Sequence, residues 1–112
     1  MIELSKSQKK IARQLIDIGL QRECKSFMEK ITKFTGDRNL ETDNPYEIYL
    51  KLYKKVVSFD KHISRRYDDL TGSNYLLAVL GLFNNNVLTT EDIALFDDDL
   101  KNLLLNLSQT LK

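Results

Sequence analysis

The spacing of hydrophobic and polar residues along the chain predicts four helices and no strand. In segment 45–70, apolar side chains recur at alternating steps of three and four residues, which places them on one face of a helix. Segment 89–111 has the same spacing, so we expect one continuous helix there. Segment 74–83 is apolar on every side, which predicts that this short helix is the most buried element. The remaining predicted helix covers residues 5–34.

Residues typical of helix caps support three of these helix starts. Ser5, followed three residues later by Gln8, forms a capping-box sequence in which each side chain satisfies a free backbone N–H. Asn44 is a preferred N-cap residue, and Pro45 suits the first helical position because its missing N–H would have no partner there. The sequence Thr89-Thr90-Glu91-Asp92 predicts the start of the last helix.

The first helix carries two hydrophobic stripes that are displaced from each other by more than a quarter turn. Gly19 lies where they join, and glycine costs about 1 kcal/mol relative to alanine inside a helix, which indicates close packing or a bend. We therefore expect that the helix either bends at Gly19 or packs against two different partners. The stripes are Ile11, Leu15 and Ile18, then Leu20, Cys24, Phe27, Ile31 and Phe34.

These patterns predict an all-α fold: a single domain over residues 1–112, built as a compact helical bundle of three long helices plus one short buried helix. The chain is 42% hydrophobic, which is enough for one core at this length. Cys24 is the only cysteine, and a lone thiol favours a reducing compartment, so we expect a cytoplasmic protein. The stretch that follows Met1 is basic and amphipathic, unlike a secretory signal.

The charge of the chain is divided unevenly, although its total is only +1. Residues up to Arg66 contain 15 Lys and Arg against 9 Asp and Glu, whereas residues 67–112 contain 2 against 7. Such asymmetry is typical of proteins that bind a polyanion or pair one charged region with another. The longest apolar run, residues 75–83, is nine residues long, well below the roughly 20 that cross a bilayer, so we expect no membrane span.

The chain offers few residues for catalysis or metal binding. His62 is the only histidine, so one chain cannot supply a site that needs several histidines. Asp97-Asp98-Asp99 would fan over about 200° of a helix and cannot converge on one ion. Cys24 lies on an apolar stripe, where burial makes a thiol unreactive. We therefore expect no catalytic residues, no metal site, no cofactor and no enzymatic activity.

One side of the second helix is basic and forms a candidate surface for a polyanion or a protein partner. Its residues lie close together around the helix and could contact a phosphate backbone. The alternative is a solvated face that keeps the helix soluble, because the isoelectric point of about 7.8 is low for a dedicated nucleic-acid-binding domain. The candidates are Lys51, Lys54, Lys55, Lys61, Arg65 and Arg66.

Other residues interrupt the expected pattern in two places. Asp60 falls on the apolar side of the second helix, and Arg22 interrupts the first stripe of the first helix, so both are candidates for buried polar groups that pair with each other or with a tyrosine hydroxyl. The last helix has leucines off its main stripe beside acidic residues, which suggests a docking or self-association face. That face comprises Leu95, Asp98, Asp99 and Leu105.

The sequence therefore favours a small non-catalytic protein, an adaptor or regulator that acts through contacts with another protein or with a second copy of itself. A charge-polarised surface suits such a role because it steers partners and selects among them. The alternative is a protein that binds the phosphate backbone of a nucleic acid through the basic faces of the first two helices.

Overall fold

The computed structural model describes the backbone of residues 3–111 and the side chains of residues 3–110, and within these residues it contains helices and no strand. The prediction of an all-α fold is confirmed. The predicted domain covers residues 1–112, but the described residues do not include Met1, Ile2, Lys112 or the side chain of Leu111. The helices of the described part of the chain are α1 (Lys6–Gly36), α2 (Pro45–Tyr67), α3 (Tyr75–Asn84), α4 (Thr90–Ile93) and α5 (Asp98–Leu111).

The predicted caps of the first two helices are present. Ser5 Oγ accepts a hydrogen bond from the Gln8 backbone N–H, and Gln8 Oε1 accepts one from the Ser5 N–H. Asn44 Oδ1 accepts from the backbone N–H groups of Tyr46 and Glu47, directly before Pro45. These side chains satisfy N–H groups that the first turn of a helix leaves without partners.

The prediction of one continuous helix over 89–111 is wrong, because the chain stops and restarts its helix within this segment. Thr89 and Asp92 form the predicted capping box, but α4 ends at Ile93. Asp97 Oδ1 then accepts from the Leu100 N–H and caps α5. The local preference of aspartate for an N-cap position outweighs the continuous apolar spacing.

The second helix also ends earlier than the predicted Leu70. The last residue of α2 is Tyr67, and the backbone N–H of Asp68 still bonds to the Ser64 carbonyl. Asp69 has a φ of 60°, in the left-handed region that a right-handed helix does not contain. Aspartate tolerates this conformation better than most residues, which explains why the chain turns there.

The chain folds into two compact units. The first comprises the residues up to Arg22 and those from Asp69 onward, and the second is Glu23–Asp68. The first unit has a closed apolar core, in which Leu15, Ile93 and Leu104 have no solvent exposure.

Helix α3 lies in the first unit. Val79, Leu80 and Leu82 are buried, and among its residues only Leu77, at 64%, is exposed, so the prediction that this helix is the most buried of the described helices is confirmed. α3 contacts α5, and the Ser108 hydroxyl donates a hydrogen bond to Asn84 Oδ1. A short helix that is apolar on every side therefore packs within the first unit, as its composition predicts.

The second unit is a helical hairpin without a closed core. It pairs the part of α1 from Glu23 with α2, and the contacts of Glu23 with Arg66 and of Phe27 with Phe59 show that the two helices run antiparallel. The rings of Phe27 and Phe59 are stacked, with centroids 4.1 Å apart. None of the 46 residues of this unit is buried.

Of the two expectations for the first helix, the structure favours packing against two partners. Residues Lys6–Gly36 form one uninterrupted α-helix, and Gly19 is buried. Ala12, Leu15 and Gly19 contribute to the first unit, whereas the helix from Glu23 onward belongs to the second. The two displaced stripes thus serve two different sets of neighbours.

Candidate interaction surfaces

Glu23 is the centre of a polar cluster in the second unit. Its Oε1 lies 2.7 Å from His62 Nε2 and accepts a hydrogen bond from Arg66 Nη1 at 3.1 Å. Its Oε2 accepts from the Tyr67 hydroxyl at 2.5 Å. His62 and Arg66 lie on one side of α2 because they are four residues apart, and Tyr67 is the last residue of the helix. The cluster joins α1 to α2.

The environment of the cluster shifts two pKa values in opposite directions. Partial burial raises the pKa of Glu23, but the hydrogen bonds from Tyr67 and His62 and the charge of Arg66 outweigh it and hold that pKa below its usual value. Burial and the hydrogen bond to Glu23 raise the pKa of Tyr67. The carboxylate is therefore ionised and the phenol protonated at neutral pH, which suits a structural clamp. No local pattern indicates this cluster, because Glu23 is at least 39 residues from its partners along the chain.

The residues of the basic face predicted on α2 have different surroundings. Arg66 forms an ion pair with Glu23, and the Lys55 ammonium lies 5.1 Å from the centre of the Phe34 ring. Lys51 lines a small cleft of about 100 Å³ that also contains Asp43 and Glu47. Lys54, Lys61 and Arg65 are exposed.

Lys54 and Lys55 border an open cleft of about 470 Å³ between α1 and α2. The stacked rings of Phe27 and Phe59 form part of its lining, together with Ile31 and Ser58. Its polar rim carries basic groups and no carboxylate, which favours an anionic ligand. The basic rim residues are Lys30, Lys54, Lys55 and His62.

A row of exposed aromatic side chains runs along another side of α2. Tyr46 is 66% exposed, Tyr49 and Tyr53 are each 57% exposed, and Val56 is 46% exposed. The ring centroids of successive tyrosines are 6.3 and 6.4 Å apart. We call these four residues the tyrosine stripe. Adjacent large apolar side chains in such numbers are typical of an interaction surface rather than of scattered surface residues.

The prediction that Asp60 is buried is wrong. Asp60 is exposed and lies on the same side of α2 as the tyrosine stripe, seven residues after Tyr53. The sequence interpretation assumed that all the apolar residues of α2 face one core. The side of α2 that is partly covered instead contains Leu52, Phe59 and Ile63, so the stripe and Asp60 face solvent.

Arg22, predicted to pair with Asp60, pairs with Asp92 in the first unit. Its guanidinium donates to both Asp92 oxygens, at 2.6 and 3.1 Å, and to the Val87 carbonyl at 2.9 Å. The hydrogen bonds from Arg22, together with those from Thr89, lower the pKa of Asp92 to about 2. The Arg22 side chain is 44% exposed, so it is not a buried polar group.

The docking face predicted on the last helix is divided by the break in that helix. Leu95 is 58% exposed but lies in the connection between α4 and α5. Asp98 and Asp99 are exposed in the first turn of α5, where negative charge is favourable beside the free N–H groups. Leu105 is half-buried. These residues do not form one continuous helix face.

Within residues 3–111 no group of three His, Cys, Asp or Glu side chains is placed to hold a metal ion. Over the same residues no helix is both long and apolar enough to span a bilayer. Comparisons of the chain with models of known protein families, with curated proteins and with solved structures found no match.

Proposed function

We propose that the protein is a small non-catalytic adaptor or regulator that acts by binding an amphipathic helix of a protein on the tyrosine stripe. We place it in the cytoplasm, because Cys24 is a free thiol. The observation that carries the proposal is the second unit itself, which exposes three of its four tyrosine side chains and buries no residue.

The chemistry of the stripe suits a helical partner. Tyrosine combines a large apolar ring with a hydroxyl that bonds to water or to a partner, which is why it is enriched at protein interfaces. Residues 46, 49, 53 and 56 follow the three- and four-residue spacing of one helix face, the pattern with which amphipathic helices pair.

Affinity capture with matched variants tests this function. The tagged protein is incubated with nuclease-treated native lysate at moderate salt, beside the variant with both Tyr49→Lys and Tyr53→Lys. Leu77→Lys is the control, because Leu77 is also more than half exposed but lies in the first unit. We expect a stoichiometric protein with the wild type and the control but not with the stripe variant. Retention of the same proteins by all three would contradict the proposal.

The cleft with the basic rim favours a second candidate function, association with the phosphate backbone of a nucleic acid. Binding would then weaken steeply with salt, and Lys54→Glu with Lys55→Glu would weaken it and lower the salt slope by about two. Lys25→Glu with Lys33→Glu changes the charge equally at residues outside the cleft lining and is the control. Fluorescence titration of a labelled oligonucleotide measures both effects, and equal losses in the two variants would contradict a role for the cleft.

A further inference from the structure

We propose that the helix bound by the tyrosine stripe is α2 of a second copy of this chain, packed antiparallel about a two-fold axis at Tyr53. The inference rests on the function proposed above and identifies its partner. Two hairpins that associate in this way form a four-helix arrangement in which the apolar sides of both copies are covered.

The first reason is that the second unit lacks a core of its own. It has 46 residues, none of them buried, and Cys24, its only cysteine, is free. Units of this size that bury little apolar surface usually need disulfides, a metal or oligomerisation. Within the second unit no disulfide forms and no metal-binding group is present, which leaves association.

The open sides of the two hairpin helices coincide. Helices α1 and α2 run antiparallel and meet at the Phe27–Phe59 contact. On both helices the exposed apolar residues are rotated away from this contact in the same sense. They therefore lie on the same side of the hairpin. On α1 this side contains Met28, which is 57% exposed. The tyrosine stripe is thus the centre of a wider apolar surface that crosses both helices.

The stripe is self-complementary along its length. Tyr46 and Asp60 are each seven residues from Tyr53, about 10 Å along the helix, and both lie within about 20° of the Tyr53 direction. An antiparallel copy centred on Tyr53 therefore places Tyr46 opposite Asp60 of the second copy. A phenol donates and a carboxylate accepts, so this pair satisfies a carboxylate that otherwise interrupts an aromatic surface.

The apolar residues beside Tyr53 match in the same register. Leu50 and Val57 lie on one side of the helix line through Tyr53, and Tyr49 and Val56 lie on the other. Across the two-fold axis Leu50 lies beside Val57 of the second copy. Val56 of the second copy is at the same height along the helix axis as Leu50. Tyr49 likewise lies beside Val56. Each apolar side chain thus meets an apolar side chain, as isologous interfaces require.

Charges at the edge of the stripe select the antiparallel direction. Glu47 and Lys61 are exposed and about 40° apart around α2, on the same edge. In antiparallel packing, the heights of Glu47 and of Lys61 of the second copy differ by only about 3 Å along the helix axis. Parallel packing would place Asp60 beside Asp60, because that residue lies close to the Tyr53 direction, and like charges in contact disfavour an arrangement.

The exposed area fits a dimer. Tyrosines expose up to roughly 150–250 Å² each, so the fractions observed for the three tyrosines, with Val56 and Met28, leave roughly 500 Å² of apolar surface open. A stable interface buries about 800 Å² per partner, of which about 65% is apolar in homodimers. The two values agree.

Mass measurement by light scattering tests the dimer. We expect the wild type to have about twice the chain mass of 13.0 kDa and to dissociate on dilution. Because Tyr53 occurs twice at the axis, Tyr53→Lys should weaken association by roughly 100-fold or more. Leu77→Lys should leave it unchanged. Circular dichroism of each variant checks that the helices persist.

Cysteine cross-linking tests the register in a Cys24→Ser background. Chains with Tyr46→Cys are mixed with chains with Asp60→Cys and oxidised. We expect disulfides between the two kinds of chain, whereas two copies of Tyr46→Cys should not cross-link because antiparallel packing holds position 46 about 21 Å from its equivalent. Preferential cross-linking of identical chains would overturn the antiparallel arrangement.

The outcomes separate this inference from the function on which it rests. A wild type that is monomeric at every concentration overturns the dimer. If the stripe variant then still loses a captured protein, the proposed function stands with a different helix as partner. If neither mass nor capture depends on the stripe, both proposals fail.

Discussion

The two units of the chain differ in how completely they bury their apolar side chains. All the buried residues among 3–110 belong to the first unit. The second unit contains side chains of the same types, yet Tyr46, Tyr49 and Tyr53 are more than half exposed. Both units are made of amphipathic helices, so helix amphipathicity does not explain the difference. A core closes only when enough layers meet, and two helices cover one side of each other.

The largest expected effect comes from removing side-chain volume in the first unit. Leu104→Ala should lower the free energy of unfolding by about 2–5 kcal/mol, because Leu104 is fully buried and truncation leaves a cavity. Leu52→Ala in the second unit should cost about 1 kcal/mol, because Leu52 is only partly covered. Urea denaturation measures both, and equal losses would show that the second unit has a core of its own.

Asp92→Asn tests the polar contacts that hold the first unit together. It weakens the Thr89 capping box and removes the ion pair with Arg22, so we expect a loss of about 1–2 kcal/mol at neutral pH. Asp98→Asn, at an exposed position, is the control and should change stability by less than about 0.5 kcal/mol.

The same contact predicts an acid dependence. The pKa of Asp92 is about 2 in the folded protein, below the value of about 3.9 in an unfolded chain. A lowered folded pKa stabilises above the unfolded pKa, so this contribution is present at neutral pH and is lost as the pH falls from about 4 towards 2. Asp92→Asn should flatten that part of the stability profile. An unchanged profile would show that the pair contributes nothing.

Tyr67→Phe tests the Glu23 cluster of the second unit. It removes one of three groups that bond to the carboxylate, so a loss of about 1 kcal/mol is expected. Because the pKa of Glu23 is lowered in the folded protein, the contribution of its carboxylate to stability is present at neutral pH and lost in acid. Tyr49→Phe, which alters an exposed phenol, is the control for denaturation measurements. Equal effects of the two substitutions would contradict a clamp at Glu23.

Asp60→Asn should have the smallest effect. Asp60 is exposed, so the substitution should change the free energy of unfolding at neutral pH by no more than about 0.5 kcal/mol. The shift of the thermal midpoint measures this change, and the Tyr53→Lys background is used because the proposed dimer is weakened there. A larger loss would mean that the carboxylate has a partner within its own chain.

Much of the fold was predictable because helix signals are local. The capping residues Ser5, Asn44 and Thr89 were each correctly assigned. The break before α5 was not predicted, because apolar spacing indicates which side chains are buried and not whether the backbone is continuous. Ile93, Phe96 and Leu100 are all buried across the break.

The candidate surfaces were less predictable, since they depend on which elements meet. The pairing of Arg22 with Asp92 joins residues 70 positions apart. The apolar residues of α2 extend over more than half of the helix circumference, and only the neighbouring helix decides which part is covered. The sequence therefore indicated that α2 is amphipathic, and the structure was needed to identify the tyrosine stripe as its open side.

Hydrogen exchange of α2 in the wild type and in Tyr53→Lys most directly tests whether the second unit depends on a second copy for cover. In concentrated wild-type protein we expect the central amides of α2 to be protected, and in Tyr53→Lys to exchange at least about tenfold faster. The amides of α5, in the closed first unit, should exchange equally in both. Equal protection of α2 in the two proteins, at the level of α5, would contradict an open second unit.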